Sequence, residues 1–135
     1  MTLVVVPVRY PLSEHSRATL EEGARIAAER DAELTVLHVD LYQTDERVTR
    51  ADLKQACEAV IGRRERVRYT VRRGFLVEET ILDEVATESA DAVVIGRKQV
   101  SRWRRLIRRL TDDPDIEKYL SEQLDTEVIT VDAPA

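Results

Sequence analysis

Two unbroken apolar runs constrain the fold of this chain more than any other feature of its sequence. LVVVPV occupies residues 3–8 and AVVI occupies residues 92–95, and every residue in both runs is apolar. Strands that are buried on both faces of a sheet have this texture, whereas exposed edge strands alternate apolar and polar residues. We therefore predict that both runs are central strands of a layered sheet.

Segments with helical periodicity separate these runs from three further candidate strands. The first predicted helix covers residues 13–30, with Ser13 as its N-cap. Its inward face carries Leu20, Ala24, Ala27 and Ala28. The remaining strands are predicted at Leu34–Val39, Val67–Val71 and Glu127–Val131, and the remaining helices begin near Asp45, Val77 and Asp113. Alternation of strands and helices predicts an α/β fold with a parallel sheet.

The texture of the strands also predicts their order. Val67–Val71 alternates strictly and is typical of an edge strand, and Glu127–Val131 is a weaker edge candidate. Combined with right-handed crossovers, this ranking predicts an open five-stranded parallel sheet of order 3-2-1-4-5 with helices on both faces. We expect one domain over residues 1–132, followed by a short tail at 133–135.

This order places a crevice at the carboxyl ends of strands 1 and 4. Ligands of open parallel sheets bind where the strand order reverses, and the chain there reads Arg9–Tyr10 and Gly96–Lys98. Arg9 is the informative residue, because a charge at the end of a central strand usually has a partner. That partner is either a bound anion or an internal carboxylate, and the sequence leaves both readings open.

A cluster of basic residues begins at the same crevice. Seven of the 21 Lys and Arg side chains fall within residues 97–109, in a chain of net charge −5. The later members are Arg102, Arg104, Arg105, Arg108 and Arg109, which surround an apolar stripe of Trp103, Leu106, Ile107 and Leu110. Four interpretations of this cluster remain open. It is a short helix with solvated arginines, an anion-binding site, a surface that contacts nucleic acid, or a surface that contacts a membrane. Nucleic acid is the weaker functional one, because the rest of the chain carries −12 and repels a polyanion.

Composition excludes several classes of function. Cys57 is the only cysteine, so no intrachain disulfide forms, and no apolar run approaches the roughly 20 residues of a membrane helix. The start of the chain lacks the pattern of a signal peptide, and we expect a cytoplasmic protein. His38 is interpreted as structural and His15 as solvent-facing. With two histidines far apart and no nucleophile motif, we expect no metal site and no catalysis.

The segments VVVPV, SEHSRATLEEGARIA, LTVLHV and ILDEVATESADAVVIGRK together resemble the universal stress protein family over nearly the whole chain. The resemblance implies a cytoplasmic α/β protein of the adenine-nucleotide α-hydrolase-like architecture. It also implies a homodimer that pairs through the last strand, here Val128, Ile129, Thr130 and Val131. Many members bind ATP, and a second class does not.

The ATP-binding pattern of the family is only partly present. Pro7 and Val8 match, but Arg9 stands at the acidic position. Gly96 matches the first glycine of the phosphate loop, the second falls on Gln99, and the closing pair falls on Arg109 and Leu110, with Thr111 one residue further. Glycines let backbone N–H groups approach phosphate oxygens, so their loss removes this mode of binding.

These observations predict a stress-response regulator that does not bind ATP in the usual family mode and needs no cofactor. The alternative is a module that binds a nucleotide or another small anion through Arg9, Arg97 and Lys98. The candidate ligand-binding residues are Pro7, Val8, Arg9, Val39, Gly96, Arg97, Lys98 and Thr111.

Overall fold

The computed structural model describes residues 2–45, 47–102 and 125–132, which form one parallel sheet with helices on both faces. The strands are β1 (Leu3–Pro7), β2 (Glu33–Leu41), β3 (Val67–Gly74), β4 (Ala92–Gly96) and β5 (Glu127–Val131). The helices are α1 (Glu14–Glu29), α2 (Arg50–Ile61) and α3 (Val77–Thr87). All four strand pairs are parallel and the order is β3-β2-β1-β4-β5, so the predicted topology is confirmed.

The two unbroken apolar runs lie in the middle of the sheet, as their texture predicts. Val4 to Val6 and Ala92 to Ile95 are fully buried. They are covered by α1 and α2 on one face and by α3 on the other, which gives two core layers. Gly23 allows α1 to approach β1 closely, because a Cβ atom at this position would lie 3.2 Å from the Cβ atom of Val6.

The inward face of α1 differs in one position from the prediction. Leu20, Ala24 and Ala27 are buried, but Ala28 is exposed. The buried arc of the helix is centred on its small residues, among them Ser16 and Gly23, and Ala28 lies beyond its edge. The helix therefore rests on its smallest side chains, which is consistent with its close approach to β1.

The first helix begins where the sequence predicts and the second does not. The side chain of Ser13 accepts a hydrogen bond from the Ser16 amide and caps α1. The expected start of α2 near Asp45 is wrong, because the helix begins at Arg50. Thr49 and Asp52 exchange side-chain and backbone hydrogen bonds in a capping box, and this local motif decides the start of the helix. At the other end, Gly62 adopts a φ of 76° as the C-cap.

Edge strand β3 uses its two faces differently, which explains its alternating sequence. Tyr69 is buried with Val67 and Val71 against the α1 and α2 layer. On the opposite face, the Nε atom of Arg72 donates to the buried carboxylate of Glu84 in α3 at 2.6 Å. Along the strand edge, the Nε atom of Arg50 donates to the carbonyl oxygen of Tyr69 at 2.9 Å.

Part of the basic cluster lies outside the described residues. Residues 97–102 continue β4 into a helix, and Arg102 lies 4.0 Å from the carboxylate of Glu78. The predicted helix near Asp113 and the apolar stripe from Trp103 to Leu110 fall outside the described ranges. The same holds for Arg104, Arg105, Arg108, Arg109 and Thr111.

Candidate ligand-binding cavity

A cavity of about 830 Å³ opens between β1 and β4, where the strand order reverses. It lies at the carboxyl ends of these strands, which is where parallel open sheets bind ligands. The described lining residues come from the ends of β1, β2, β4 and β5, from the first two turns of α1 and α3, and from residues 97–102. The crevice inferred from the strand order is therefore present as a cavity.

Hydrogen bonds fix the chain that follows β1. The amide of Val8 donates to the carbonyl oxygen of Leu37 at 2.8 Å, and the ring of His38 contacts the carbonyl oxygen of Val8 at 3.1 Å through Nδ1. The amide of Arg9 donates to the hydroxyl oxygen of Ser16 at 2.9 Å. These bonds hold the backbone of Arg9 against α1 while its side chain remains exposed at the mouth of the cavity.

The start of α1 brings polar groups to the cavity. Ser13, His15, Ser16 and Thr19 all line it. The hydroxyl of Thr19 donates to the carbonyl oxygen of His15 at 2.7 Å and is thus already engaged. The N-terminal end of a helix carries a partial positive charge from its free amide groups, so this side of the cavity favours an anion.

The cationic side chains at the cavity fall into two groups. Arg97 is paired with Asp132 at 2.6 Å, and Arg102 lies near Glu78. Arg9 and Lys98 form no ion pair with any residue in the described part of the chain. The internal salt bridge considered for Arg9 is therefore not found among residues 2–45, 47–102 and 125–132. Two positive charges without an ion-pair partner in the described part of the chain therefore line the same opening.

The opposite wall of the cavity is apolar. Val39 and Leu41 from β2 and Val77 and Ile81 from α3 line it. The cavity thus has a charged mouth and an apolar interior wall, and this combination suits a ligand with an anionic group and a less polar body.

Gly96 lies at the end of β4 and leaves the floor of the cavity open. A Cβ atom built on it would meet only the hydroxyl oxygen of Thr19, at an ordinary contact distance of 3.9 Å. Neither a positive φ nor a tight contact with the described residues requires glycine here. The neighbouring Gln99 is half-buried, and its side-chain nitrogen is enclosed without a hydrogen-bond partner among the described residues.

The structure brings most of the candidate residues together. Pro7, Val8, Arg9, Val39, Gly96, Arg97 and Lys98 all line the cavity, and Thr111 falls outside the described residues. The other described lining residues are not among the candidate ligand-binding residues, although Arg102 is predicted as part of the basic cluster and Val131 as part of the dimer edge. They are Ser13, His15, Ser16, Thr19, His38, Leu41, Val77, Ile81, Gln99, Ser101, Arg102, Val131 and Asp132. The feature that could have indicated them is their position in the fold. Most of them follow the end of a strand or lie at the start of a helix at the carboxyl edge of the sheet.

Two further properties bear on the kind of site. The described residues contain no group of three or more His, Cys, Asp or Glu side chains that could hold a metal ion. None of the described helices is long and apolar enough to cross a membrane.

Comparison with known proteins gives one consistent result. The chain is similar to a universal stress protein crystallised in complex with cAMP, at 16% identity, with a TM-score of 0.58 and 98% of each chain covered. It is also similar to the universal stress protein UspA from Lactobacillus plantarum, at 19% identity and a TM-score of 0.61, over 96% of this chain and 97% of that one. A universal stress protein from Burkholderia pseudomallei matches at 15% identity and a TM-score of 0.56, over 96% of this chain and 95% of that one. These structural matches show the fold.

No curated protein matches the sequence. The model of the universal stress protein family matches residues 1–112, which is most of the chain. This match agrees with the fold shown by the structural matches. The chain belongs to the universal stress protein family.

Proposed function

We propose that this protein is a non-enzymatic stress-response regulator whose cavity binds a small anionic ligand, such as a nucleotide or a phosphorylated metabolite. The observation that carries the proposal is that Arg9 and Lys98 line a cavity of about 830 Å³ and form no ion pair with the described residues. An exposed cation on the protein surface is ordinary. Two cationic side chains that line the same cavity beside the N-terminus of a helix favour the binding of an anion.

The ligand is proposed to bind differently from the ATP of the nucleotide-binding members. The half-buried side chain of Gln99 lines the cavity at the position of the second glycine of their phosphate loop, and the guanidinium of Arg9 stands at their acidic position. A triphosphate carries more negative charge than the two free cations compensate. A ligand with one phosphate or carboxylate group matches them better, and the similar protein crystallised with cAMP makes that nucleotide a suitable first probe.

A thermal-shift screen of the purified full chain tests this proposal. The panel contains cAMP, AMP, ATP with and without Mg²⁺, a sugar phosphate and inorganic phosphate. A ligand at about 100 times its Kd stabilises the folded state by about 2.7 kcal/mol, which is a readily measured shift. The variant Arg9→Gln/Lys98→Gln is expected to lose the shift. The control Arg17→Gln/Arg63→Gln makes the same change in net charge outside the cavity and should retain it.

Three results would contradict the proposal. If no compound of the panel shifts the transition, the cavity does not bind small anions. An equal loss in both double variants would show that the effect is one of net charge. A shift by MgATP alone that survives Arg9→Gln/Lys98→Gln would indicate the usual family mode.

We also propose that the protein is a cytoplasmic homodimer that pairs through β5. The support is the position of this strand at the edge of the sheet, where Val128, Ile129, Thr130 and Val131 are half-buried in the single chain. An unpaired strand edge is a template for another strand. Light scattering at increasing protein concentration is expected to show a dimer, and a monomer at every concentration would contradict this part of the proposal.

A further inference from the structure

The turn between β3 and α3 presents the one phenylalanine of the chain to solvent. Phe75 is 70% exposed, and its neighbours Leu76 and Tyr42 are 48% and 46% exposed. The rings of Tyr42 and Phe75 contact each other with their centroids 4.8 Å apart. We call these three residues the turn patch. Contiguous exposed apolar side chains of this kind mark binding surfaces more often than isolated ones do.

Hydrogen bonds hold the backbone of the turn patch in place. The side chain of Gln43 donates to the carbonyl oxygen of Phe75 at 2.9 Å, and the hydroxyl of Thr80 donates to the carbonyl oxygen of Leu76 at 2.7 Å. The amide of Tyr42 donates to the carbonyl oxygen of Gly74 at 3.0 Å. The exposed rings are therefore carried on a backbone that is fixed from both sides, which lowers the entropic cost of binding a partner.

A groove of about 360 Å³ lies beside the turn patch, between β3 and α3. Some of the charged side chains that line the groove form ion pairs and others do not. Arg72 is paired with Glu84, and the guanidinium of Arg73 lies over the ring of Tyr42 at 4.6 Å. On the other side of the groove, Glu79 and Asp83 are exposed, four residues apart on α3. Neither forms an ion pair with the residues that the structure describes. Arg73 likewise forms no ion pair with the described residues, so the two guanidinium groups and three carboxylates of the lining leave the groove with a net charge of −1.

We propose that this groove docks a short cationic segment of a partner protein. An aliphatic or aromatic side chain of the segment would pack on Phe75 and Leu76, while its Lys or Arg side chains would pair with Glu79 and Asp83. The exposed ring of Phe75 also attracts cations directly, which adds to the preference for a basic partner. The two free carboxylates repel phosphate groups, so the same surface disfavours nucleic acid.

The groove is separate from the ligand-binding cavity. The two share no described lining residue, and they lie on different sides of α3, which turns Val77 and Ile81 to the cavity and Glu79 and Asp83 to the groove. Docking of a peptide therefore does not depend on the function proposed for the cavity, and each of the two proposals can fail alone.

Fluorescence polarisation with a labelled hexapeptide of alternating arginine and leucine tests the docking proposal on the full chain. Saturable binding is expected, and it should weaken when alanine replaces leucine or glutamate replaces arginine in the peptide. The variant Phe75→Ala, at an exposed position, is expected to raise the Kd about tenfold, as for a residue at the centre of an interface. Glu79→Gln/Asp83→Asn should raise the Kd severalfold and reduce the salt dependence of binding.

The control variant Glu21→Gln/Glu65→Gln makes the same change in net charge at exposed sites outside the groove, and it should leave the Kd unchanged. An increase in Kd as large as that of Glu79→Gln/Asp83→Asn would overturn the proposal, because it would show nonspecific attraction to an acidic protein. Absence of saturable binding up to 1 mM peptide, about the weakest affinity expected of a specific site, would do the same. A single-stranded oligonucleotide that binds in a Phe75-dependent manner, with no peptide binding, would assign the surface to nucleic acid instead.

Discussion

The Nδ1 atom of His38 lies 3.1 Å from the carbonyl oxygen of Val8, in the interior of the sheet. Since a carbonyl oxygen can only accept, Nδ1 carries the proton and donates this bond. The bond connects β2 to the segment that leads from β1 into α1. His38 is thus a structural residue, as the sequence indicates, and it also lines the cavity.

We expect His38→Ala to lower the free energy of unfolding by about 2 kcal/mol, through the lost hydrogen bond and the space left in a buried site. Urea unfolding of the variant measures this loss. His15→Ala is the matched control, since His15 is exposed, and its unfolding should match that of the parent protein. Equal stability of the two variants would contradict a structural role for His38.

Two glycines at strand ends are expected to respond differently to substitution. A Cβ atom at Gly74 would lie 2.0 Å from the hydroxyl oxygen of Thr80, so Gly74→Ala should destabilise the protein by about 1–3 kcal/mol. Gly96→Ala meets no such contact and should change the stability little, while the added methyl group narrows the floor of the cavity. Thermal unfolding distinguishes the two variants. Similar transition temperatures would show that the contact with Thr80 relaxes at low cost.

The pair between Arg72 and Glu84 is asymmetric, because the carboxylate is buried and the guanidinium is half exposed. Arg72→Met leaves the carboxylate without its partner, and we expect a loss of about 2 kcal/mol, below the full value for a buried pair because water reaches the site. Arg72→Met/Glu84→Leu should recover most of this loss. A double variant no more stable than Arg72→Met would contradict this expectation, because it would show that the unpaired carboxylate does not destabilise the protein.

Stability should fall in alkaline solution because of two buried groups. Burial raises the pKa of the Cys57 thiol from 9.0 to about 11 and, together with the nearby Cys57, raises that of Tyr69 from 10.0 to about 12. The folded state therefore keeps both protons at a pH where the unfolded chain loses them. The two protonated groups therefore contribute fully to the free energy of unfolding below pH 9, and this contribution declines as the pH rises from 9 to 12.

Urea unfolding at pH 8 and pH 10.5 measures this decline, and Cys57→Val/Tyr69→Phe should reduce it. Because the Tyr69 hydroxyl is buried without a hydrogen-bond partner among the described residues, Tyr69→Phe should cost little stability at pH 7. An unchanged alkaline decline in the double variant would assign the effect to other groups.

Proline substitutions at two different positions of β5 test the proposed dimer. The amide of Glu127 donates to the carbonyl oxygen of Asp91 on the β4 side, so the alternating pattern turns the amides of Val128 and Thr130 toward the open edge. Thr130→Pro removes an outward amide, and light scattering should show a folded monomer. Ile129→Pro removes an amide that faces β4 and should destabilise the chain itself. A Thr130→Pro variant that remains dimeric would exclude pairing through β5.

The sequence predicts the sheet well because a strand that is buried on both faces consists of consecutive apolar residues, and this pattern is visible in a short segment. Val4 to Val6 and Ala92 to Ile95 appear as unbroken apolar runs, and β3 alternates because Arg72 and Tyr69 serve opposite faces. The start of α2 is mispredicted because the capping box of Thr49 and Asp52 decides it, not the polar residues near Asp45.

The cavity is predicted only where strand order alone determines position. Arg9 follows β1 and Gly96 ends β4, so the pairing of these central strands brings the two residues together. Ser16 and Ile81 reach the cavity through the packing of α1 and α3 on opposite faces of the sheet, and no local pattern indicates this. The same holds for the exposure of Phe75, since its sequence context resembles that of a buried residue at the start of a helix.

The contact of Arg50 with the Tyr69 carbonyl has a consequence for how copies of the chain can assemble. A strand added to β3 would need that carbonyl as an acceptor, and a guanidinium from the same molecule already occupies it. Of the two edge strands that the structure describes, β3 is therefore obstructed at this acceptor, and β5 is the one that we propose for pairing. If two copies join through β5 as proposed, the joined sheet ends at β3 on both sides, which disfavours its growth into a fibre.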